Sequence, residues 1–323
     1  MSECDILVVG AGAWGTALAV SWARAGKNVA LWCHEAPRAA ALAATRENFR
    51  LPGVRLPDEV VVTGEFSGAG IVVVCVPTQT LGGILARLPD DGAPLVLCCK
   101  GLDETTLRLP AETAAEVASG RQIAVLSGPN FAHEIAAGLP AAAVLATADA
   151  GLRAALMQGL RTERLRLYGS ADVVGASVGG AAKNVIAIAA GAVMGAGLVE
   201  NARAALMTRG VAEMARLAAA LGGRAETVFG LSGLGDLLLT CTGAKSRNFS
   251  LGLALGRGEA LDEVLGHRTN VTEGVATAPA LLQRARQVGV EMPLTEAVVG
   301  LLAGDKTVAA AMGLLMGRAL RDE

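Results

Sequence analysis

Three glycines, Gly10, Gly12 and Gly15, stand directly after the apolar run Asp5–Val9 and directly before the helical run Thr16–Ala25. That order leaves the chain few folds. A strand that ends on Gly-x-Gly-x-x-Gly and passes straight into a helix is the opening βα unit of a doubly wound sheet. Gly10 allows the tight turn, Gly12 lets a pyrophosphate approach the backbone, and Gly15 permits close helix–strand packing. The N-terminus of the helix offers free N–H groups and a partial positive charge to the phosphates. The spacing alone is a weak signal; its setting between a strand and a helix points to a dinucleotide site.

The rest of the first half keeps the alternation. Apolar runs at Asn28–Cys33, Val60–Thr63, Ile71–Val76, Pro94–Cys99, Gln122–Ser127 and Ala141–Thr147 read as strands, with helical stretches such as Leu107–Ala118 between them. Several are continuous and β-branched, which suits a parallel sheet covered on both faces. After about Gly175 no run reads as a strand. Alanine- and leucine-rich stretches at helical spacing follow: Ala181–Ala192, Asn201–Leu221, Leu251–Arg257, Glu273–Val288 and Leu294–Ala303. The reading is an α/β chain with a Rossmann-like doubly wound domain over residues 1–175 and a mostly helical domain over 176–323. A ligand is expected in the cleft between them, at the carboxyl ends of the strands.

Composition narrows the function. The 28 basic and 30 acidic residues leave a net charge of −2, and aromatics are 3% of the chain. A near-neutral balance without base-stacking residues argues against nucleic acid or an anionic membrane surface as partner. The uncharged run Ile6–Ala23 has three glycines inside it, no basic n-region and Asp5 immediately before it, so it reads as strand and helix and not as a membrane span or signal peptide. Val185–Val199 is too short to span. The six cysteines at 4, 33, 75, 98, 99 and 241 show no paired spacing, which fits reduced core thiols in a cytoplasmic protein.

Proton chemistry points to lysine. The three histidines, at 34, 133 and 267, match no zinc spacing, and no metal site is expected. Lys100 follows the run Pro94–Cys99 at its carboxyl end. Lys183 is the one charge between Asp172 and Glu200, and a desolvated lysine works as an acid or base near neutrality. Asp236 follows Gly233-Leu234-Gly235, where it could cap the helix Leu237–Leu239. Ser246-Arg247-Asn248 sets three oxyanion donors before a helical stretch. At the end of the second strand, Cys33-His34-Glu35 and Arg38 give a mixed cofactor signal. His34 and Arg38 suit a 2′-phosphate and Glu35 a free 2′-hydroxyl; the balance leans to NADPH, or to use of both NADP and NAD.

These segments resemble one family. Gly10-Ala-Gly-Ala-Trp-Gly-Thr-Ala-Leu-Ala, Val76-Pro77-Thr78, Lys100-Gly101-Leu102 and Ser127-Gly128-Pro129-Asn130-Phe131-Ala132 are similar to bacterial NAD(P)-dependent glycerol-3-phosphate dehydrogenases. So are Gly179-Gly-Ala-Ala-Lys-Asn, Asn201-Ala-Arg-Ala-Ala-Leu, Gly233-Leu-Gly-Asp, Leu239-Thr-Cys-Thr and Ser246-Arg-Asn, in order to Glu296. The resemblance implies reversible reduction of dihydroxyacetone phosphate to sn-glycerol 3-phosphate, feeding phospholipid synthesis. It makes Lys183 the proton acceptor of the oxidation, with Lys100 holding substrate and cofactor and Asp236 orienting Lys183. It gives Gly128, Asn130, Ser246, Arg247 and Asn248 to the substrate, with Lys183 and Asp236. To the dinucleotide it gives Ala13, Trp14, His34, Lys100, Ala132, Arg247, Val271 and Glu273. A homodimer fits both the family and the apolar helical half.

The chain departs from the family pattern at Asn130, commonly Ser or Thr. It also departs at Phe249 and Ser250, where arginines are frequent, and at Met194, often Asp; Thr78 replaces Ser and keeps a hydroxyl. Two other readings share the turn: a β-hydroxyacid or ketopantoate-type dehydrogenase, and a non-catalytic dinucleotide-binding sensor. Gly233–Asp236 with Ser246–Asn248 argues against the first, and Lys183 with Asp236 against the second.

Overall fold

The computed structural model describes residues 4–243, 245–266 and 272–317. Eight strands form one sheet: β1 (Cys4–Val9), β2 (Val29–Trp32), β3 (Val60–Thr63), β4 (Ala69–Val74), β5 (Leu95–Leu97), β6 (Ile123–Ser127), β7 (Ala141–Ala146) and β8 (Leu165–Ser170). Their order is β3-β2-β1-β4-β5-β6-β7-β8. The first six strands are parallel, and the order reverses between β1 and β4, where open α/β sheets bind ligands beyond the carboxyl ends of their strands. Alternate residues of these strands feed two apolar layers. Ile6, Val8, Val73 and Val96 are buried in one, and Leu7, Val9, Val74 and Leu97 in the other. That two-sided burial is why the strand sequences run apolar without alternation.

Two features differ from the sequence reading. β7 runs antiparallel to β6, so the sheet is mixed. The link between them holds only the five-residue helix Ala132–Ala136, which rises about 7.5 Å, under half the length of a five-residue strand. The chain cannot travel back along β6 on that helix, and it returns as a strand instead. The second difference is β8, which the apolar-run search missed. Leu165 and Leu167 are buried while Arg166 and Tyr168 face outward, the alternation of an edge strand with one wet face.

By its internal packing the chain divides into two compact units, Met1–Lys100 with Leu109–Ser177, and Gly101–Arg108 with Val178–Glu323. Among the described residues, no strand follows β8. The helix Val173–Gly195 is longer than the sequence suggested, so Lys183 sits in its third turn and not at its start. Its most apolar 18-residue window has a mean hydropathy of 1.5, enough in length and composition to cross a membrane, yet 83% of that window is buried within the protein.

Part of that cover is the helix Arg247–Gly256. A β-carbon added at Gly191 would collide with the Phe249 carbonyl, and one at Gly195 with that of Leu253. Added at Gly252 or Gly256, it would collide with the carbonyls of Ile188 or Ala192. The two helices meet backbone to backbone through glycines four apart on each.

Candidate active site

The dinucleotide turn has the predicted form. Gly10 adopts φ +115°, and a β-carbon there would stand 2.7 Å from the Cys75 carbonyl oxygen. A β-carbon at Gly15 would collide with the carbonyl of Gly10, so the helix Ala13–Arg24 can start this close to β1 only on glycine. At Gly12 a β-carbon would meet nothing within 4 Å. Gly12 is also the N-cap, and no side chain caps the helix end. Two closed positions flank an open one beside exposed N–H donors, which is the shape a pyrophosphate needs. Ala13 and Trp14 open the helix, half-buried. His34 is exposed three residues after Leu31 of β2, its ring 5.8 Å from that of Trp32.

The carboxyl ends of β5 and β6 bring two more predicted residues together. β5 ends at Leu97, so Lys100 lies three residues beyond it, and its Nζ donates to the Gly128 carbonyl at 3.1 Å. Asn130 Nδ2 donates to the Ala142 carbonyl at 2.9 Å, while its buried Oδ1 has no hydrogen-bond partner among the described residues; the same holds for Ser127 Oγ and for Thr78 Oγ1 beyond β4. Buried polar atoms are nearly always hydrogen-bonded, so a ligand atom or a water is the natural partner for each of the three. Ala132 starts the short helix Ala132–Ala136.

In the helical unit the lone lysine meets its aspartate. Lys183 Nζ lies 2.9 Å from Asp236 Oδ1 and donates to Thr240 Oγ1, also at 2.9 Å. Thr240 donates in turn to the Asp236 carbonyl at 2.6 Å. Lys183 is 8% exposed and Asp236 2%, so the pair is buried and charge-matched. The approach is made possible by Gly179, one turn before Lys183. A β-carbon there would sit 2.7 Å from the Ser232 carbonyl oxygen, on the π-helical turn Leu231–Gly235 that delivers Asp236. Asp236 therefore does not act as an N-cap. It is the first residue of the helix Asp236–Cys241, and its carboxylate serves Lys183. Burial pushes the neighbouring Cys241 thiol up to about 12, against the opposing pull of Lys183, so it stays neutral.

Ser246 accepts the Phe249 N–H at 3.2 Å and caps the helix that Arg247 opens; Arg247 is exposed. Asn248 is buried: its Nδ2 donates to Asn184 Oδ1 at 2.8 Å and its Oδ1 accepts the Gly274 N–H at 3.0 Å. That chain of contacts passes beside Lys183 through Asn184, and beside the half-buried Glu273 through Gly274. Val271 lies outside the described residues. The sequence reading missed Thr240 and the bridging role of Asn184. The spacing of Asp236 and Thr240, four apart on a helix, was the available signal for the first. Among the described residues, no group of three or more His, Cys, Asp or Glu is placed to hold a metal ion.

Comparison with known proteins finds relatives over nearly the whole chain. Residues 5–152 match the model of the NAD-dependent glycerol-3-phosphate dehydrogenase N-terminus, and residues 172–313 that of the C-terminus. A glycerol-3-phosphate dehydrogenase [NAD(P)+] of Acidiphilium cryptum is 59% identical over 99% of this chain and 98% of its own. The Gluconobacter oxydans protein of the same name is 51% identical over 97% of each. The crystal structure of glycerol-3-phosphate dehydrogenase from Coxiella burnetii superposes with a TM-score of 0.93 at 37% identity, covering 98% of this chain and 99% of the other.

Proposed function

The chain belongs to the NAD-dependent glycerol-3-phosphate dehydrogenase family, and from that membership we propose its reaction: the reversible reduction of dihydroxyacetone phosphate to sn-glycerol 3-phosphate with NADH or NADPH. Its product supplies glycerophospholipid synthesis. The observation that carries the chemistry is the buried Lys183–Asp236 pair in an otherwise uncharged helix.

The nicotinamide, when bound, supplies the hydride that adds to the substrate carbonyl carbon. The protein supplies the proton. In the reductive direction the Lys183 ammonium gives one proton to the carbonyl oxygen, and in the oxidative direction the amine takes it back from the hydroxyl. Asp236 and Thr240 fix the Nζ position and stabilise the charged form, so the lysine recovers its proton from solvent after each turnover. Lys100 holds the substrate and reaches the cofactor. Gly128, Asn130, Ser246, Arg247 and Asn248 bind the substrate, Arg247 through its guanidinium to the phosphate oxygens. With Nδ2 held by Ala142, Asn130 offers the substrate an acceptor and not a donor. Gly10, Gly12, Ala13, Trp14, Gly15, His34, Ala132, Val271 and Glu273 bind the dinucleotide, with Lys100 and Arg247.

The enzyme works in the cytoplasm as a homodimer in this reading. Six cysteines that form no disulfide support a reducing compartment. The helix Val308–Met316, with Leu314 and Met316 largely exposed, supports a covered apolar face. Purified protein mixed with dihydroxyacetone phosphate should consume NADH or NADPH, followed separately by absorbance. Oxidation of neither would sink the assignment.

A further inference from the structure

We propose that Asp103 is a positioning residue for Lys100: its carboxylate closes the loop Gly101–Arg108 and so fixes the point from which Lys100 reaches the substrate. The proposal rests on the reading of Lys100 as a substrate-binding residue and gives a task to a carboxylate which that reading leaves idle.

Lys100 immediately precedes the loop. Behind it the backbone is tied to the end of β4. The Cys98 N–H donates to the Val74 carbonyl at 2.9 Å, and the Cys99 thiol donates to the Val76 carbonyl at 3.1 Å. Ahead of it Gly101 is buried and Leu102 is wholly so. Lys100 and Leu109 pack with the sheet unit, and Gly101–Arg108 packs with the helical unit. The loop is thus a detour of the chain that starts at Lys100.

Asp103 is the residue that closes the detour. Its Oδ1 accepts the Thr106 N–H at 2.7 Å, the Thr106 hydroxyl at 2.9 Å and the Thr105 N–H at 3.1 Å. Its own N–H donates to the Arg108 carbonyl at 3.0 Å, and its carbonyl accepts the Leu107 N–H at 2.9 Å. Leu107 needs this hold. Its side chain is buried, yet its backbone adopts φ +60°, a region that favours glycine. Such a residue keeps its shape only where its surroundings impose it. Partial burial works to raise the Asp103 pKa, but the Thr106 and Thr105 donors and the Arg108 charge outweigh it and hold the carboxyl below its ordinary range. The acceptor is therefore ionised at neutral pH, and each bond to it is charge-assisted.

A lysine profits from a fixed backbone more than most residues do. Its ammonium is a point charge on a flexible four-carbon stem, and the bond from Nζ to the Gly128 carbonyl secures only the far end. Without the carboxylate, Leu107 leaves its strained φ, the loop opens, and Lys100 is anchored from the β5 side alone. Small misplacements of a substrate-holding group are costly.

The test combines steady-state kinetics at saturating dinucleotide with trace acetylation of the full-length protein, each lysine read by peptide mass spectrometry. Asp103→Ala should raise the KM for dihydroxyacetone phosphate about tenfold and leave kcat within about twofold, the pattern of lost uniform binding. Lys100 should be acetylated several-fold faster than in wild type, with Lys27 unchanged. Asp103→Asn keeps an acceptor oxygen and should return both readouts close to wild type. A merely structural role would lower the melting temperature and leave Lys100 no more reactive than before. A wild-type KM in Asp103→Ala overturns the proposal; so does a raised KM without faster labelling of Lys100, or Asp103→Asn as impaired as Asp103→Ala. Lys100→Ala with the KM of wild type overturns the reading of Lys100 itself, so the two failures are told apart.

Discussion

Lys183 and Asp236 form a buried ion pair at 2.9 Å in which Thr240, one turn beyond the aspartate, binds both partners. The ammonium is held at a fixed point by two groups from one short helix. Removing the lysine therefore has a catalytic and a structural effect, and the two are separable.

Lys183→Ala should lower turnover by about 10²- to 10⁴-fold, the usual worth of a positioned acid–base group, while dinucleotide binding measured by calorimetry stays near wild type. It should also destabilise the protein by roughly 3–5 kcal/mol, because Asp236 is left buried without its cation. The double change Lys183→Met with Asp236→Leu should recover most of that stability and none of the activity. Denaturant midpoints with steady-state rates separate the two effects, and a double variant less stable than Lys183→Ala alone would contradict the account.

The glycine turn divides its tasks between positions. Gly15→Ala drives a methyl into the Gly10 carbonyl and should cost about 1–3 kcal/mol by overpacking. Gly12→Ala meets no protein atom, so the melting temperature should hold while affinity for NAD(P)H falls. Thermal melts paired with dinucleotide titrations check both; equal melting temperatures for the two variants would be the wrong answer.

Glu213 is a buried carboxylate on the helix Val199–Ala220. It accepts the Leu294 N–H at 2.6 Å and the Thr295 N–H at 3.2 Å, and so caps the helix Pro293–Leu302 from a distant part of the chain. Burial raises its pKa above the ordinary 4.5, against the lowering effect of those donors and of Arg216. The folded protein then holds this proton to higher pH than the unfolded chain. Glu213's contribution is complete below pH 4.5 and declines as pH rises through the folded pKa. Urea midpoints of wild type and Glu213→Gln, compared from mildly acid to neutral pH, should converge as pH rises. A gap that widens with pH would reverse the assigned direction.

Cys75 and Cys241 should resist alkylation. The Cys75 thiol is pushed well above the usual range by its hydrogen bond to Cys98 and by burial, and Cys241 reaches about 12 through burial. Few thiolates exist at either site near neutral pH. Iodoacetamide followed by peptide mass spectrometry should find both unmodified in native protein and both labelled in urea; rapid native labelling of either would contradict the assigned environment.

The dinucleotide turn could be read from the chain alone because all its parts are local: strand, three glycines and helix follow one another within a few residues. Lys183 stood out for a similar reason, as a single charge in a long apolar stretch. Its partner Asp236 was legible only through the family resemblance, since nothing in the string Gly233-Leu234-Gly235-Asp236 itself says which cation the carboxylate will meet. Equally hidden was the meeting of Arg38 and Asn48, which both donate to the Ala11 carbonyl at 2.5 and 3.1 Å, because it depends on how the helix Ala36–Thr45 and its following loop fold back. The direction of β7 was illegible too: an apolar run carries no arrow, and only the short helix before it decides. β8 shows the opposite limit, where the alternation was present but a search for continuous apolar runs passed over it.

The glycine seam between Val173–Gly195 and Arg247–Gly256 has a mechanical consequence. Each of the four glycines faces a carbonyl across the seam, so the helices engage like meshed teeth and neither can slide or roll without driving a side chain into the opposing backbone. Lys183 and Asn184 ride on one rack, and Arg247 and Asn248 on the other. The axial offset between the proton-carrying lysine and the anion-directed arginine's helix is therefore set by gearing, and adaptation to a ligand is left to the torsions of the exposed Arg247 side chain.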